Sequence, residues 1–270
     1  PQRHLFPSPP GSVTDGRSGI EALSGIPGRV GAAPIQNIGA YGQELADCLV
    51  SVEVLDRRTG ALQVIAAGDC GLAYRYSHFK GDWRDRYVVL SVALDLPIAA
   101  AAPPRYAELG HRLGEGPYTV AAVRAAVLEL RRSKSMVYDL ADPNHRSAGS
   151  FFVNPVLVET EWAVFQTRVN AAGLDPASVP AWPVAEGHKV SAGWLIERAG
   201  FSKGYGRTGA RLSSAHCLAI TNQGGACAED LLDLAVEVRS GVLEHFGVAL
   251  RPEPVLLGFN AAERGRLGLT

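Results

Sequence analysis

The sequence of 270 residues predicts a mixed α+β fold. Alternating apolar and polar residues predict strands in the first hundred residues, and apolar residues at helical spacing predict helices from residue 119 onwards. Apolar residues form 47% of the chain and charged residues 20%, which is typical of a packed globular protein. We expect two unequal parts that divide near the segment 98–104, IAAAAPP.

The first part begins with an irregular lead-in and a glycine-rich segment. Residues 1–18 are rich in Pro, Gly and Ser, which is typical of irregular structure. Residues 25–44, GIPGRVGAAPIQNIGAYGQE, then contain five glycines. This density indicates tight turns or a backbone pressed against another group. A loop packed on the core and a ligand-binding loop both fit the pattern.

Two strand patterns follow the glycine-rich segment. Residues 50–66 alternate on both sides of Thr59-Gly60, which predicts a hairpin, and residues 87–96 predict another strand. Arg75 lies between these patterns, among aromatic residues. An arginine in such a position is more often a surface cation stacked on aromatic rings than a catalytic group.

Four helices are predicted in the rest of the chain. Thr119 can cap the first, and the cations Arg131 and Lys134 near its end suit the negative end of the helix dipole. The others are predicted over roughly 159–172, 191–200 and 229–246. A final strand is predicted over LRPEPVLLGF, residues 250–259. Glu253 within it can be solvated at the strand end or can face a cleft.

Charge and cysteine content exclude several classes of protein. With 26 basic and 27 acidic side chains, the overall charge favours neither nucleic acid nor an anionic membrane as a partner. The four cysteines show no metal-site or disulfide spacing, so we expect reduced thiols, no metal and a cytoplasmic protein. The longest apolar tract, residues 87–102, is interrupted by Asp95 and Pro97, which argues against a membrane span.

The stretch 147–155, SAGSFFVNP, places the hydroxyl of Ser150 between a glycine and two phenylalanines. A turn that enters a buried strand fits this pattern, and so does a proton donor held at a rigid edge.

Four collinear stretches carry a family resemblance. LSGIPGRVGAAPIQNIGAYGQE, SAGSFFVNP and LRPEPVLLG occur in this order, with KVSAGWLIERAGFSKGYG at 189–206. Together they resemble the UDP-N-acetylenolpyruvoylglucosamine reductases, flavin enzymes of peptidoglycan precursor synthesis, over about residues 19–260. One such motif alone would be weak, whereas four in the same order are specific.

The resemblance implies part of an FAD-binding domain of the vanillyl-alcohol-oxidase type at 19–135, with a loop insertion at about 98–118. A smaller α+β substrate-binding domain is implied at 136–250, and residues 251–270 would return to the active site as a strand and tail. Family members also carry an N-terminal flavin subdomain with a glycine-rich segment ending in Ser-Asn. This sequence shows no such segment, so we expect an apolar face to be exposed.

The resemblance also implies the cofactor contacts. Glycines would let backbone N–H groups reach the FAD pyrophosphate, Ile35, Ile38 and Val89 would wall the isoalloxazine ring, and Arg131 would face the phosphates. The other matching positions are Pro27, Gly31, Ala32, Gly39 and Tyr41.

In this family NADPH reduces FAD, and the flavin hydride then goes to C3 of an enolpyruvyl ether. Ser150 matches the donor of the proton to C2, Arg75 matches the cation that pairs with the substrate carboxylate, and Glu253 matches the acidic group that polarises the intermediate.

For the UDP moiety, Lys134, Asn154 and His216 match substrate contacts, and Tyr106 matches a loop tyrosine that closes over the diphosphate. His216 stands where the family often has glutamine, so a partly buried structural histidine is the alternative. We expect a monomer that binds UDP-N-acetylglucosamine enolpyruvate and NADPH. The alternatives are a catalytically silent remnant that binds UDP-sugar and another flavin oxidase of the same fold.

Overall fold

The computed structural model describes residues 15–207 and 209–269, and most of the predicted lead-in lies outside them. The chain forms two compact units, Pro1–Tyr138 and Asp139–Thr270. The break predicted near 98–104 is therefore wrong, since that segment packs inside the first unit through the buried Ala101. The two units are of similar length, contrary to the expected unequal parts. The division lies close to the limit that the resemblance implies at 135/136.

The first unit is built on the strands β3 (Leu49–Asp56), β4 (Leu62–Ala66) and β5 (Tyr87–Leu94), and two shorter strands precede them, β1 (Gly39–Ala40) and β2 (Gln43–Glu44). The three longer strands form an antiparallel sheet in the order β4-β3-β5. The hairpin at Thr59-Gly60 is confirmed. Val52 and Val54 are fully buried, so one face of the sheet covers the core. The other face exposes the apolar side chains of Leu62, Val64, Val88 and Leu90.

The glycine-rich segment consists of tight turns, as its composition predicts. Its 3-10 helix Val30–Gln36 is followed by β1, a turn and β2. The turn residues Tyr41 and Gly42 have φ angles of 49° and 87°, in the left-handed region that favours glycine. A Cβ atom added at Gly31 would lie 3.2 Å from the carbonyl oxygen of Val89. The segment therefore approaches β5 so closely that position 31 has little room for a side chain.

Two helices complete the first unit, α1 (Ala107–Leu113) and α2 (Val120–Ser133). The Thr119 hydroxyl oxygen accepts a hydrogen bond from the N–H of Ala122 at 3.1 Å, which confirms the predicted cap of α2. Val123 and Val127 on its apolar face are buried. Sequence reasoning missed α1, because this short helix offers only one strongly buried side chain, Leu109.

The second unit contains two sheets, whose strands are β6 (Ser147–Ser150), β7 (Val156–Leu157), β8 (Ala181–Val184), β9 (Gly187–Val190), β10 (Gly206–Arg207), β11 (Ala210–Leu212) and β12 (Ala219–Asn222). One sheet has four strands in the order β10-β11-β12-β6, and the other has three in the order β7-β9-β8. The helices are α3 (Glu159–Ala171), α4 (Ala192–Arg198), α5 (Ala228–Phe246) and α6 (Ala261–Arg266).

The helix ends in this unit follow the predicted signals. The Ser191 hydroxyl accepts from the Trp194 N–H at the start of α4, and α5 ends at Gly247 with φ 71°. The three helices predicted over roughly 159–172, 191–200 and 229–246 are confirmed as α3, α4 and α5.

The final strand predicted over 250–259 is wrong. Pro252 and Pro254 have no N–H to donate, so the chain forms only one isolated bridge, between Phe152 and Pro252. The chain then turns into α6, which the sequence analysis missed. Asn260 caps this helix by accepting from the N–H of Glu263 at 3.0 Å.

Within the described residues, no helix is both long enough and apolar enough to cross a bilayer. All four cysteines are free thiols, and three of them are buried. Burial raises the pKa of Cys48 to about 11 and that of Cys217 to about 12, so these thiols stay protonated near neutral pH.

The core of the second unit predicts a contrast between two leucines on α5. Leu234 is 4% exposed and Leu243 is 41% exposed. Leu234→Ala should lower the free energy of unfolding by about 2–5 kcal/mol, because it leaves a cavity. Urea denaturation should show this loss. The matched variant Leu243→Ala should change stability by less than about 0.5 kcal/mol, and equal losses would contradict the packing described here.

Candidate active site

Ser150 ends β6 and is paired through the backbone with Ala219 of β12. Gly149 before it has φ 76°, while a Cβ atom added there would meet nothing within 4 Å. This glycine is therefore needed for its backbone angle and not for space. After it, the Phe151 N–H donates to the Leu218 carbonyl at 2.8 Å. The pairing of Ser150 with Ala219 and the hydrogen bond from Phe151 to Leu218 thus hold the backbone of Ser150 in place.

Glu253 is tied to the same stretch by its backbone. Its N–H donates to the Phe151 carbonyl at 2.8 Å, and the N–H of Val153 donates to the Arg251 carbonyl at 3.0 Å. Phe152 is 2% exposed and anchors this pairing in the core, with its ring 5.1 Å from that of Phe151. The structure therefore brings the chain segments of Ser150 and Glu253 together within the second unit.

Asn154 and His216 lie near the start of α4. Asn154 Oδ1 accepts the N–H of Ala192 at 2.9 Å, and a Cβ atom added at Gly193 would lie 3.6 Å from His216 Cε1. His216 Nδ1 accepts the Leu218 N–H at 3.3 Å, which stabilises the turn beside Phe151. This contact favours the structural alternative for His216. The substrate roles of both residues stay predictions.

A buried amide, Asn144, supports this site and was missed by sequence reasoning. Its Oδ1 accepts from the Ser214 N–H at 3.2 Å and from Gln223 Nε2 at 3.3 Å, while its Nδ2 donates to Ser214 Oγ at 3.0 Å. These bonds tie the residues before β6 to the loop that carries His216. The available sequence signal was Asp142-Pro-Asn, since Asp142 Oδ1 accepts the Asn144 N–H at 2.8 Å in a local turn.

Arg75 lies in the first unit, where the glycine-rich segment binds its guanidinium. Nη2 donates to the Gly39 carbonyl at 2.6 Å, and Nη1 lies 3.9 Å from Glu44 Oε1. The guanidinium carbon also stacks over the Tyr74 ring at 5.2 Å from its centroid. The stacking on an aromatic ring that the sequence predicted is therefore present, on a side chain that is 18% exposed.

Two residues fix the backbone that receives Arg75. A Cβ atom added at Gly39 would lie 2.9 Å from Arg75 Nη1, so this position admits only glycine without a shift. Asn37 is 1% exposed, with φ 46°, and its side chain bridges Glu44 Oε2 at 2.8 Å and the Ala46 N–H at 2.9 Å. Sequence reasoning missed Asn37, although asparagine is one of the few residues that tolerate the left-handed conformation.

The remaining positions matched to the flavin segment differ in burial. Ile35, Ile38 and Val89 pack in the apolar core of the first unit, and Ile38 is 7% exposed. Pro27 and Ala32 are exposed.

Arg131 and Tyr41 interact electrostatically in the first unit, where both side chains are partly buried. Arg131 Nη2 donates to the Met136 carbonyl at 2.8 Å, and its buried Nε has no hydrogen-bond partner within the described residues. Burial lowers the pKa of Arg131. Burial and then the Glu108 carboxylate raise the pKa of Tyr41 to about 12, against the opposing charge of Arg131. A buried guanidinium with an unpaired donor can hold an anionic group such as a phosphate.

Tyr106 and Lys134 lie beside this pair. The Tyr106 ring meets the Tyr41 ring edge-on, with 6.1 Å between centroids, and Lys134 Nζ bonds the Glu108 carboxylate. The structure thus groups Tyr41, Tyr106, Arg131 and Lys134 within the first unit. Among residues 15–207 and 209–269, no cluster of three or more His, Cys, Asp or Glu side chains is suited to a metal ion.

Comparisons with known proteins point to one family. A family profile described as "UDP-N-acetylenolpyruvoylglucosamine reductase, C-terminal domain" matches residues 142–257. The UDP-N-acetylenolpyruvoylglucosamine reductase of Thermobifida fusca is 54% identical over 251 residues, which cover 91% of this chain and 70% of that protein. The reductase of Streptomyces coelicolor is 49% identical over 258 residues, covering 92% of this chain and 66% of that protein.

A solved structure agrees with these relatives. The crystal structure of UDP-N-acetylenolpyruvylglucosamine reductase from Thermus caldophilus is 28% identical, with a TM-score of 0.56 over 90% of this chain and 66% of that chain. The chain thus spans about two-thirds of the length of the relatives it matches. With 54% identity over nearly its whole length, the chain belongs to the family of UDP-N-acetylenolpyruvoylglucosamine reductases, which are oxidoreductases.

Proposed function

We propose that this protein is an NADPH-dependent flavoenzyme that reduces UDP-N-acetylglucosamine enolpyruvate to UDP-N-acetylmuramate in the cytoplasm, as a step of peptidoglycan synthesis. The observation that carries the proposal is the backbone pairing of Phe151 with Glu253. It joins the segments of the proton donor and of the acidic group, and both lie inside the stretch 142–257 that matches the family profile.

The residues of the first unit fit a bound FAD. Gly31 and Gly39 let the glycine-rich segment pack directly against Val89 and Arg75, and Arg131 keeps a buried Nε without a partner in the described residues. Arg131 would hold the negatively charged phosphates, while Ile35, Ile38 and Val89 would contact the apolar ring system. When bound, FAD supplies the hydride that the double bond receives at C3, and NADPH restores it.

Arg75 would bind the substrate carboxylate. Its planar guanidinium offers several donors, and the Gly39 carbonyl and Glu44 fix its orientation before substrate arrives. Such preorganisation reduces the ordering cost of binding. Negative charge that develops toward the carboxylate during reduction is stabilised by the same cation.

Ser150 would donate its hydroxyl proton to C2. A serine hydroxyl is a weak acid, so this transfer requires a fixed position and an electron-rich carbon opposite it. The pairing of residues 150–153 with 218–219 and 251–253 supplies a rigid position. Glu253 would polarise the intermediate from the neighbouring segment. Lys134 would hold the diphosphate and Tyr106 would close over it, whereas Asn154 and His216 are proposed as further contacts to the UDP-sugar.

The cofactor is tested first by spectroscopy on the purified protein. We expect a yellow protein with bound FAD that oxidises NADPH only when the enolpyruvyl substrate is present. A colourless protein that cannot be reconstituted with FAD, but still binds UDP-N-acetylglucosamine, would contradict the proposal and favour the catalytically silent alternative.

The role of Ser150 is tested by separating the two half-reactions in stopped-flow experiments. Ser150→Ala should leave flavin reduction by NADPH unchanged and slow the reduction of substrate by about 10²- to 10⁴-fold, since only the second step needs the proton. Ser202→Ala, at an exposed serine of the same unit, is the control and should not change either rate. Normal substrate reduction by Ser150→Ala would remove Ser150 from the mechanism.

The position of Arg75 is tested through Gly39. In Gly39→Ala the added methyl group would lie 2.9 Å from Arg75 Nη1, from the Gln43 carbonyl oxygen and from Glu44 Cγ, so we expect a stability loss of about 1–3 kcal/mol and, as the guanidinium shifts, a higher KM for the substrate. Thermal unfolding and steady-state kinetics measure both effects. Gly68→Ala is the matched control, because a Cβ atom there meets nothing within 4 Å. Equal behaviour of the two variants would contradict this account of Arg75.

A further inference from the structure

The segment 102–106, APPRY, crosses the surface of the first unit between two buried anchors. Ala101 is 6% exposed, and its N–H donates to the Tyr118 carbonyl at 3.0 Å, while Leu109 of α1 is 2% exposed. The connecting residues have no regular secondary structure. A groove of about 290 Å³ is lined by residues 102–105 and by residues 41–43 of the glycine-rich turn.

Arg105 fastens this segment to the glycine-rich turn. Its Nη1 donates to the Gly42 carbonyl at 3.0 Å. A Cβ atom added at Gly42 would lie 2.9 Å from both Cβ and Cδ of Arg105, so the stem of the arginine lies directly on the glycine. With a φ of 87°, Gly42 also needs the conformational freedom of glycine. Shape and hydrogen bonding thus join these two residues.

Glu108, which follows the segment in α1, holds its C-terminal end. Its carboxylate bonds Lys134 Nζ at the end of α2. Tyr106 lies between the two fastened residues and contacts Tyr41 edge-on, at 6.1 Å between ring centroids. The residues on both sides of Tyr106 are therefore held in place, Arg105 by Gly42 and Glu108 by Lys134.

We propose that Arg105 and Glu108 are positioning residues that hold Tyr106 over the glycine-rich turn and so set the affinity for the diphosphate of the substrate. The inference rests on the proposed function of Tyr106 and Lys134, and it adds two residues to that site. Neither residue touches the reacting double bond in the proposed chemistry. Their loss should therefore raise KM, because substrate must then order the segment, and should leave kcat unchanged.

Three variants test the proposal in the full chain. Arg105→Ala removes the bond to Gly42, Arg105→Lys keeps the charge and most of the stem, and Glu108→Gln removes the charge that holds Lys134. Arg112→Ala is the matched control, because Arg112 lies on α1 but pairs with Glu129 of α2. Hydrogen–deuterium exchange of peptides covering 98–110 reports on the segment without substrate, and steady-state kinetics report on KM and kcat.

We expect faster exchange of this peptide in Arg105→Ala and Glu108→Gln and wild-type exchange in the control. KM for the enolpyruvyl substrate should rise about tenfold in Arg105→Ala, the size expected for a lost hydrogen bond to a charged group, with kcat unchanged. Arg105→Lys should restore part of both effects.

Unchanged exchange in Arg105→Ala would overturn the proposal. Faster exchange with an unchanged KM would overturn the link to substrate, and a lower KM in Glu108→Gln would show that the carboxylate repels the diphosphate instead of positioning its ligands. If the wild-type chain turns over no substrate, the proposed function fails, and exchange together with binding of UDP-N-acetylglucosamine decides whether Arg105 and Glu108 order this segment for a diphosphate.

Discussion

The backbone of Phe151 is the constraint on which the candidate site of the second unit depends. Its N–H donates to Leu218 and its carbonyl accepts from Glu253, both at 2.8 Å, so one residue joins three segments distant in sequence. Phe152 beside it is buried and resists any sliding of these segments. A one-residue slip would turn this side chain away from the core, so the buried ring fixes the register of the backbone hydrogen bonds. Ser150 and Glu253 owe their positions to this register, which Asn144 supports from the preceding residues.

In the first unit, three glycines determine how closely the chain packs, because they carry no side chain. Gly31, Gly39 and Gly42 each lie where a Cβ atom would approach a neighbour within 3.2 Å or less. The backbone of this segment therefore comes close enough to β5, to Arg75 and to Arg105 to bind them through carbonyl groups or to pack on them. Arg75 and Tyr106, which we propose to bind the substrate carboxylate and diphosphate, thus both depend on one short glycine-rich stretch.

The sequence predicted most helices and the hairpin, because local signals determine them. Thr119, Ser191 and Gly247 cap or end helices through bonds and angles that involve only nearby residues. It failed at 250–259, where two prolines leave an apolar run with a single bridge, and at α1, where one buried leucine gives a weak pattern. The residue pattern alone placed the division between the units near 98–104, because long-range packing decides it, whereas the resemblance placed it at 135/136, close to the observed limit.

The candidate site residues were proposed from the resemblance, whereas the residues that support them were not predicted. Asn37, Asn144, Arg105 and Glu108 act through partners 7 to 79 positions away, and nothing in a local pattern marks such a contact. Only Asn37 and Asn144 carried a local sequence signal, because asparagine is suited to turns. Arg75 and Ser150 belong to different units, so the meeting of their side chains at one double bond stays a prediction.

A crystal structure of the protein with FAD and the enolpyruvyl substrate bound would test the central claim most directly. The account predicts the Ser150 hydroxyl within about 3–3.5 Å of C2 and the Arg75 guanidinium on the substrate carboxylate. A substrate bound elsewhere, or a carboxylate held by other side chains while Arg75 stays on Gly39 alone, would contradict it.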